Sequence, residues 1–185
     1  MEKNNIGELI MDHYEKYLGE FEDRLMFKGD ENSPSIQLLQ YDNVFNGCKT
    51  YATIGLSKYA DIIKDVYEVV MVVDDAEEES ATILANTLFY IVNNNVKLNR
   101  GTYIEGIKNI NKEFGIKYNK NAVYFTETYA FPDEFSTINE EVKMSLAFFI
   151  SKEECDYIRR FGWDKFEDYL EDNNVDIMNI NRQWI

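Results

Sequence analysis

The chain has 185 residues and a mass of 21.8 kDa, which is the size of one ordinary domain. Apolar residues make up 45% of it, and 34 acidic residues against 19 basic ones give a net charge of −15. This excess of acid argues against binding to phosphate backbones or anionic lipid, because both need clustered Lys and Arg. A basic protein partner remains possible, since opposite charge would steer it into contact.

No segment predicts a membrane span or a secretory signal. The longest apolar runs, such as residues 69–73, are far shorter than the ~20 residues that a spanning helix needs. The N-terminal residues 1–5 are not followed by an apolar signal core. Cys48 and Cys155 form no CxxC pair, so we expect two reduced thiols, with a single disulfide as the alternative. A cytoplasmic protein is therefore predicted.

The first half of the chain predicts one helix followed by four strands. Apolar residues recur at helical spacing over residues 6–18, and Gly19 ends the helix. Runs of β-branched and aromatic residues then predict strands at Arg24–Phe27, Ser35–Tyr41, Thr50–Ile54 and Val66–Val73. The last of these is apolar on both sides except for Glu68, which is typical of a central strand covered on both faces.

In the second half, helices and strands follow one another without βαβ regularity. The longest helix is predicted over residues 74–93, with Asp74 or Asp75 as its cap and Glu77 or Glu78 completing a capping box. Two further strands are predicted at Ala122–Thr126 and Val142–Ile150. Ser151 is predicted to cap the next helix, with Glu154 at the reciprocal position of a capping box, and that helix ends near Gly162. A last short helix is predicted at Trp163–Glu171. The order predicts an α+β fold, with a mixed, largely antiparallel β-sheet and packed helices in a single domain over residues 1–185.

Catalytic patterns are scarce in this sequence. The one histidine, His13, lies on the polar side of the first helix and is better interpreted as a surface residue than as a general base. A nucleophile elbow, a phosphate-binding loop and a dinucleotide fingerprint are all missing. The adjacent acids Asp133-Glu134 and Glu140-Glu141 leave a carboxylate-based hydrolase open, although solvated surface acids explain them far better. The prediction is a protein that is not an enzyme and that has no cofactor and no metal site.

Charge is spread unevenly along the chain. Residues 61–80 hold eight acids and one base, whereas residues 81–126 hold two acids and six bases. Acids in a first helical turn are favoured by the helix macrodipole, which explains most of the run at residues 74–79 without any function. The functional interpretation is a partner-binding face. Its candidate residues are Asp61, Asp65, Asp74, Asp75, Glu77, Glu78 and Glu79.

Seven segments, taken in order and spacing, carry a family resemblance. They are Tyr51–Ser57, Glu68–Val73, Ala81–Phe89, Ala130–Asp133, Ile150–Glu154, Gly162–Asp168 and Val175–Arg182. The set resembles the suppressor-of-fused (SUFU) domain family, specifically its short bacterial members, over roughly residues 40–182. The resemblance implies a mixed α/β domain, in agreement with the pattern of elements.

The resemblance also implies a function. Bacterial members are commonly immunity proteins encoded beside polymorphic toxins, and one type neutralises a secreted toxin with a nuclease domain. We therefore expect an antitoxin that binds its cognate toxin protein, a basic nuclease domain, and masks it stoichiometrically with an acidic surface. Neither nucleic acid nor membrane is expected as a partner.

A second hypothesis is a peptide-binding adaptor that takes up an extended partner segment by β-augmentation. Animal members of the family are larger and clasp a peptide as an added strand between two domains. The chain is too short for that second domain, so the clasp does not carry over. The aromatic-rich region Tyr118–Phe135 would line the peptide site instead.

Overall fold

The computed structural model describes residues 6–29, 35–74 and 79–184. Within them lie eight strands: β1 (Asp23–Lys28), β2 (Ser35–Asp42), β3 (Lys49–Thr53), β4 (Tyr67–Val73), β5 (Tyr103–Glu105), β6 (Ala122–Thr126), β7 (Thr137–Ile138) and β8 (Val142–Ile150). The same residues form seven α-helices: α1 (Ile6–Leu18), α2 (Ala60–Ile63), α3 (Glu79–Asn93), α4 (Ile107–Ile110), α5 (Lys112–Lys117), α6 (Lys152–Phe161) and α7 (Trp163–Asp172). Two short 3₁₀ helices cover Leu56–Tyr59 and Asp133–Ser136.

The strands form one mixed sheet in the order β1-β2-β3-β4-β8-β6-β5, and β7 pairs with β8 as well. Strands β4 and β8 run parallel, and the other recorded pairs are antiparallel. This confirms the predicted α+β fold with its largely antiparallel sheet. The parallel pair lies at the centre of the sheet.

Helices cover both faces of the sheet. Helices α1, α6 and α7 pack on the face toward which Val70 and Val72 point. Helices α3, α4 and α5 pack on the opposite face, against Val69 and Met71. Strand β4 is therefore buried on both sides, as its apolar sequence predicted.

Helix α3, predicted from Asp74, is described from Glu79 onward, directly after the undescribed residues 75–78, and Asp74 itself is not helical. Asp74 does not cap it, because its backbone N–H donates to the Met178 carbonyl oxygen (3.0 Å) and its carboxylate accepts from the Ile180 N–H (2.8 Å). These bonds tie Asp74 to the C-terminal segment. The other candidate cap, Asp75, and the two acids predicted to complete the capping box, Glu77 and Glu78, lie outside the described residues.

The capping box that begins α6 is confirmed. The Ser151 hydroxyl accepts from the Glu154 backbone N–H (3.2 Å), and the Glu154 carboxylate accepts from the Ser151 N–H (2.6 Å). Gly162 ends the helix with a φ of +93°, a conformation that other residues rarely adopt.

Candidate functional site

A cleft lies beside β8, between the points where β6 and β7 pair with the same side of that strand. Strand β6 pairs with β8 up to Thr126 and Leu146, and β7 begins pairing on the same side at Thr137 and Lys143. Between these points the chain leaves the sheet through residues 127–136. In the part of the chain that the structure describes, no strand pairs with β8 residues 144–145 on that side, and the cleft forms there.

Two adjoining cavities make up the cleft, with volumes of about 550 and 370 Å³. Both are lined by Arg100, Thr126, Glu127 and Tyr129, so they are parts of one site. The larger cavity extends toward Lys143 and the smaller one toward α7. Most residues that line the larger part carry polar or charged side chains, and the smaller part includes Phe148 and Leu170.

Arg100 occupies the middle of the cleft and is held from two sides. Its Nε donates to Glu167 Oε2 (2.7 Å) and its Nη1 donates to Glu127 Oε2 (2.9 Å). Glu167 also accepts from the Tyr124 hydroxyl (2.8 Å) and from Thr126 Oγ1 (2.7 Å). The carboxylate of Glu167 therefore organises both strand β6 and the arginine, and its hydrogen bond raises the pKa of Arg100 further.

The ring of Trp163 also contacts Arg100. This ring lies 5.1 Å from the Arg100 guanidinium carbon, as in a cation–π contact. Gly101 follows with a φ of +85°, and a Cβ built there would lie 2.4 Å from Cγ of Trp163. Only glycine fits this position, because a side chain would meet the indole in a backbone conformation that is already unfavourable.

The cleft is acidic overall and offers an aromatic contact. Four acids line it, Glu127, Asp133, Glu167 and Glu171, against two bases, Arg100 and Lys143. Tyr129 stands at the junction of the cavities with 58% of its surface exposed. An exposed tyrosine surrounded by charged groups is a common anchor in protein–protein contacts.

Two predicted acids lie at this end of the sheet. Asp65 forms an ion pair with Lys143, which lines the larger cavity, and this hydrogen bond lowers the pKa of Asp65. Asp61 is exposed on α2, four residues earlier. The structure therefore places Asp65 beside the cleft through Lys143 and leaves Asp61 open to solvent close by in the chain.

Two further predicted acids, Asp74 and Glu79, lie at the other end of β4. Asp74 follows the last residue of that strand, and Glu79 is exposed at the start of α3. Seven strand residues span about 23 Å, so the two groups do not form one contiguous face. Asp75, Glu77 and Glu78 belong to this second group by sequence but lie outside the described residues.

The other sequence candidates are explained by their surroundings. His13 Nε2 lies 3.1 Å from the Phe135 carbonyl oxygen and its ring stacks on Phe135, while burial lowers its pKa. Asp133 lines the cleft, and Glu134 is exposed beside it. Cys48 and Cys155 are free thiols, and burial raises the pKa of Cys155 to about 12, which makes it unreactive.

The aromatic region proposed for peptide binding is mostly core. Tyr118, Tyr124, Phe125 and Phe135 are buried, and Tyr129 is the large aromatic residue of this region that is exposed. Region 118–135 therefore contributes one aromatic contact to the cleft rather than an aromatic groove.

Two buried polar clusters were not predicted. The Glu68 carboxylate accepts from the backbone N–H groups of Gly55 (2.9 Å) and Ser57 (3.1 Å), among others, and burial raises its pKa. Arg182 forms a buried ion pair with Glu154 and donates to the Phe149 carbonyl oxygen (2.9 Å). The interruption of an apolar strand by Glu68 was the one local signal for either cluster.

Within residues 6–29, 35–74 and 79–184, no group of three or more His, Cys, Asp or Glu side chains is placed to hold a metal ion. In the same ranges no helix combines the length and the apolar character needed to cross a membrane.

Comparison with known proteins identifies relatives. The sequence model of the family described as suppressor of fused protein (SUFU) matches residues 32–183. The immunity protein YqcF of Bacillus subtilis is 25% identical over 166 residues, which cover 84% of each chain.

Among solved structures, a SUFU homolog from Neisseria gonorrhoeae superposes with a TM-score of 0.75 at 15% identity over 97% of both chains. A chain of the Sufu–Fu complex gives a TM-score of 0.62 at 14% identity, covering 96% of this chain and 91% of that one. The protein matches Drosophila Suppressor of Fused with a TM-score of 0.61 at 14% identity, over 96% of its own length and 50% of the fly chain. These structural likenesses concern the fold alone.

Proposed function

Because this chain belongs to the suppressor-of-fused family, we propose that it is an immunity protein that binds a cognate toxin and blocks it by stoichiometric masking. The observation that carries the proposal is the similarity to the immunity protein YqcF over 84% of both chains. Masking a toxin needs only one domain, and it needs no catalytic residues. The cytoplasm of the cell that makes the toxin is where this protection is needed.

The cleft is the proposed centre of the interface. Tyr129 and the acids Glu127 and Glu171 line it and can receive basic side chains of the partner. Ion pairs formed in a partly enclosed cleft are less screened by salt than pairs on an open surface. Asp61 and Asp65 extend the acidic surface toward α2, so we assign them to the rim of the same interface.

The proposed partner is a basic nuclease domain. A nuclease binds phosphates through Lys and Arg, so an inhibitor with a net charge of −15 is complementary to it. Asp74 and Glu79 lie beyond the cleft, at the other end of β4. The proposed contribution of these two acids, together with Asp75, Glu77 and Glu78 from the same run of sequence, is to accelerate association from a distance.

The partner can be identified by pull-down. Tagged protein is mixed with lysate of its own organism at ~0.05 M and ~0.3 M salt, a range over which charge-driven contacts weaken strongly. The proposal predicts one stoichiometric partner with a basic domain, captured better at low salt. That domain is then purified and assayed for nuclease activity with and without the protein. A partner without toxic activity would contradict the immunity role.

The two acidic groups can be separated by charge reversal. One variant carries Asp61→Lys and Glu171→Lys at the cleft end, and another carries Asp75→Lys, Glu78→Lys and Glu79→Lys. A matched control reverses Glu8 and Glu113, which lie on α1 and α5. We expect the cleft variant to slow association and speed dissociation, the distal variant to slow association alone, and the control to change neither rate beyond a small salt-dependent effect.

The adaptor remains a second candidate function. It is favoured by the outer edge of β1, with which no strand of the described residues pairs and where an extended segment could add a strand. Affinity for such a segment would come from main-chain hydrogen bonds and would depend little on salt. Recovery of many partners that share a short extended motif, with equal yield at both salt concentrations, would favour the adaptor over the immunity protein.

A further inference from the structure

Strand β1 is an outer edge of the sheet, and the immunity role proposed above does not use it. Its six residues pair with β2 on one side, and among the described residues no strand pairs with the other side. Half of its backbone N–H and C=O groups therefore point away from the sheet. Such an edge is a template for pairing with a further strand.

The sheet is also poorly covered beside this edge. Met26 points to the face that carries α1, yet 56% of its surface is exposed. Phe21, which packs edge-on against Tyr41 of the same face, is 42% exposed. Helix α1 thus does not fully cover β1, the outermost strand. A strand added beside β1 would bury part of the Met26 and Phe21 side chains.

The charge of the β1 segment indicates which partner can pair with this edge. The molecule carries −15, but residues 22–28 contain Glu22, Asp23, Arg24 and Lys28 and are neutral in sum. Two copies can therefore bring this edge together without the repulsion that opposes contact between their acidic surfaces. Nothing in the segment selects a strongly basic or acidic peptide.

The sequence of the edge also selects a register. A two-fold axis perpendicular to the sheet places the same face of β1 on the same side in both copies. Opposed residues in an antiparallel pair also point to one face, so the numbers of two opposed residues must be both even or both odd. Pairing centred on Met26 opposes Arg24 and Lys28, which are both cations. Pairing centred on Leu25 sets Glu22 across from Lys28 twice and Arg24 across from Met26.

We propose that two copies of this protein associate through antiparallel pairing of β1 with β1, centred on Leu25. The dimer continues the sheet across the two-fold axis. It leaves the cleft free, because β1 and the strands that form the cleft lie in different parts of the strand order.

Sedimentation equilibrium of the full chain, over a wide range of concentration, tests the pairing. The single variants Lys28→Glu and Glu22→Lys each oppose like charges at two symmetric positions and should weaken the dimer roughly tenfold. The double variant exchanges the charges and should restore it. Lys112→Glu on α5 makes the same change of charge as Lys28→Glu and should leave the dimer intact.

Cross-linking tests the register. In a Cys48→Ser background, Arg24→Cys and Met26→Cys variants are oxidised separately and as a mixture. Opposed residues in antiparallel strands have Cα atoms about 4.5–5.5 Å apart, within disulfide range. The proposal predicts a cross-link in the mixture only.

Three results would overturn the proposal. A monomer at every concentration would exclude the dimer. A dimer unaffected by both single charge variants would place the interface elsewhere. Cross-linking of Met26→Cys on its own would show the register centred on Met26.

Discussion

Arg100 and Glu167 lie 67 positions apart in the chain and meet in the middle of the cleft, with Nη2 of the arginine 2.6 Å from Oε2 of the carboxylate. The loop before β5 supplies the cation and α7 supplies the anion. Through Tyr124 and Thr126 the same carboxylate holds the end of β6. The two cavities that we assign to partner binding therefore depend on one acidic side chain.

Replacing Glu167 by Ala should lower the free energy of unfolding by about 1–3 kcal/mol, because three donors lose a largely buried acceptor. Urea denaturation measures the loss. Glu127→Ala is the matched control, since Glu127 pairs with the same arginine but is 67% exposed, and it should cost less than about 1 kcal/mol. Equal losses for the two variants would contradict the central position of Glu167.

Gly101→Ala should disturb the cleft through Trp163, whose ring contacts Arg100. The new methyl group would meet the Trp163 ring at 2.4 Å, in addition to the cost of a left-handed φ. Gly47→Ala is the control, because Gly47 has a φ of +76° with nothing within 4 Å of the built Cβ. We expect Gly47→Ala to cost about 1–2 kcal/mol of unfolding free energy, and Gly101→Ala to cost more and to change the tryptophan fluorescence.

Glu68→Gln should destabilise the protein by about 1–3 kcal/mol, because the amide replaces one acceptor oxygen by a donor that faces backbone N–H groups. Burial raises the pKa of Glu68 above its ordinary value of 4.5 in the folded state. Its contribution to stability is therefore full below that ordinary value and declines as pH rises through the folded pKa.

The stability difference between the protein and Glu68→Gln should accordingly grow as the pH is lowered from 7 toward 4.5. Urea titrations at several pH values measure it. A difference that shrinks over this interval would mean that the carboxylate is stabilised as an anion by its donors.

Arg182→Met should cost about 3–5 kcal/mol of unfolding free energy, because it leaves the Glu154 carboxylate buried without its partner. Arg159→Met is the control on α6, the same helix as Glu154, because the ion pairs of Arg159 to Glu105 and Asp156 are exposed, and it should cost less than about 1 kcal/mol. A loss at Arg182 as small as that at Arg159 would show that the C-terminal segment contributes little to stability.

Elements with a strong local signal could be predicted from the sequence. The apolar run of β4 placed a central strand correctly, and the Ser151-to-Glu154 spacing predicted a capping box that the structure contains. By contrast, β5, α4 and α5 have three, four and six residues, which is too short for a periodic pattern to stand out.

The cleft could not be predicted for a different reason. Arg100, Glu127 and Glu167 come from three separate elements, and only the strand order brings them together. The acidic residues were found as a run along the chain, but β4 carries the two ends of that run to opposite ends of the sheet. A charge pattern in sequence does not reveal such a division, because it depends on strand direction.

The measurement that tests the account most directly is a titration of the toxin domain's activity with this protein. The captured basic domain is held at a concentration far above the dissociation constant, and its nuclease activity is followed as the protein is added. Stoichiometric masking predicts a linear fall to zero with a break at one protein per toxin domain. Undiminished activity at molar excess, or loss of activity at a small fraction of one equivalent, would contradict it.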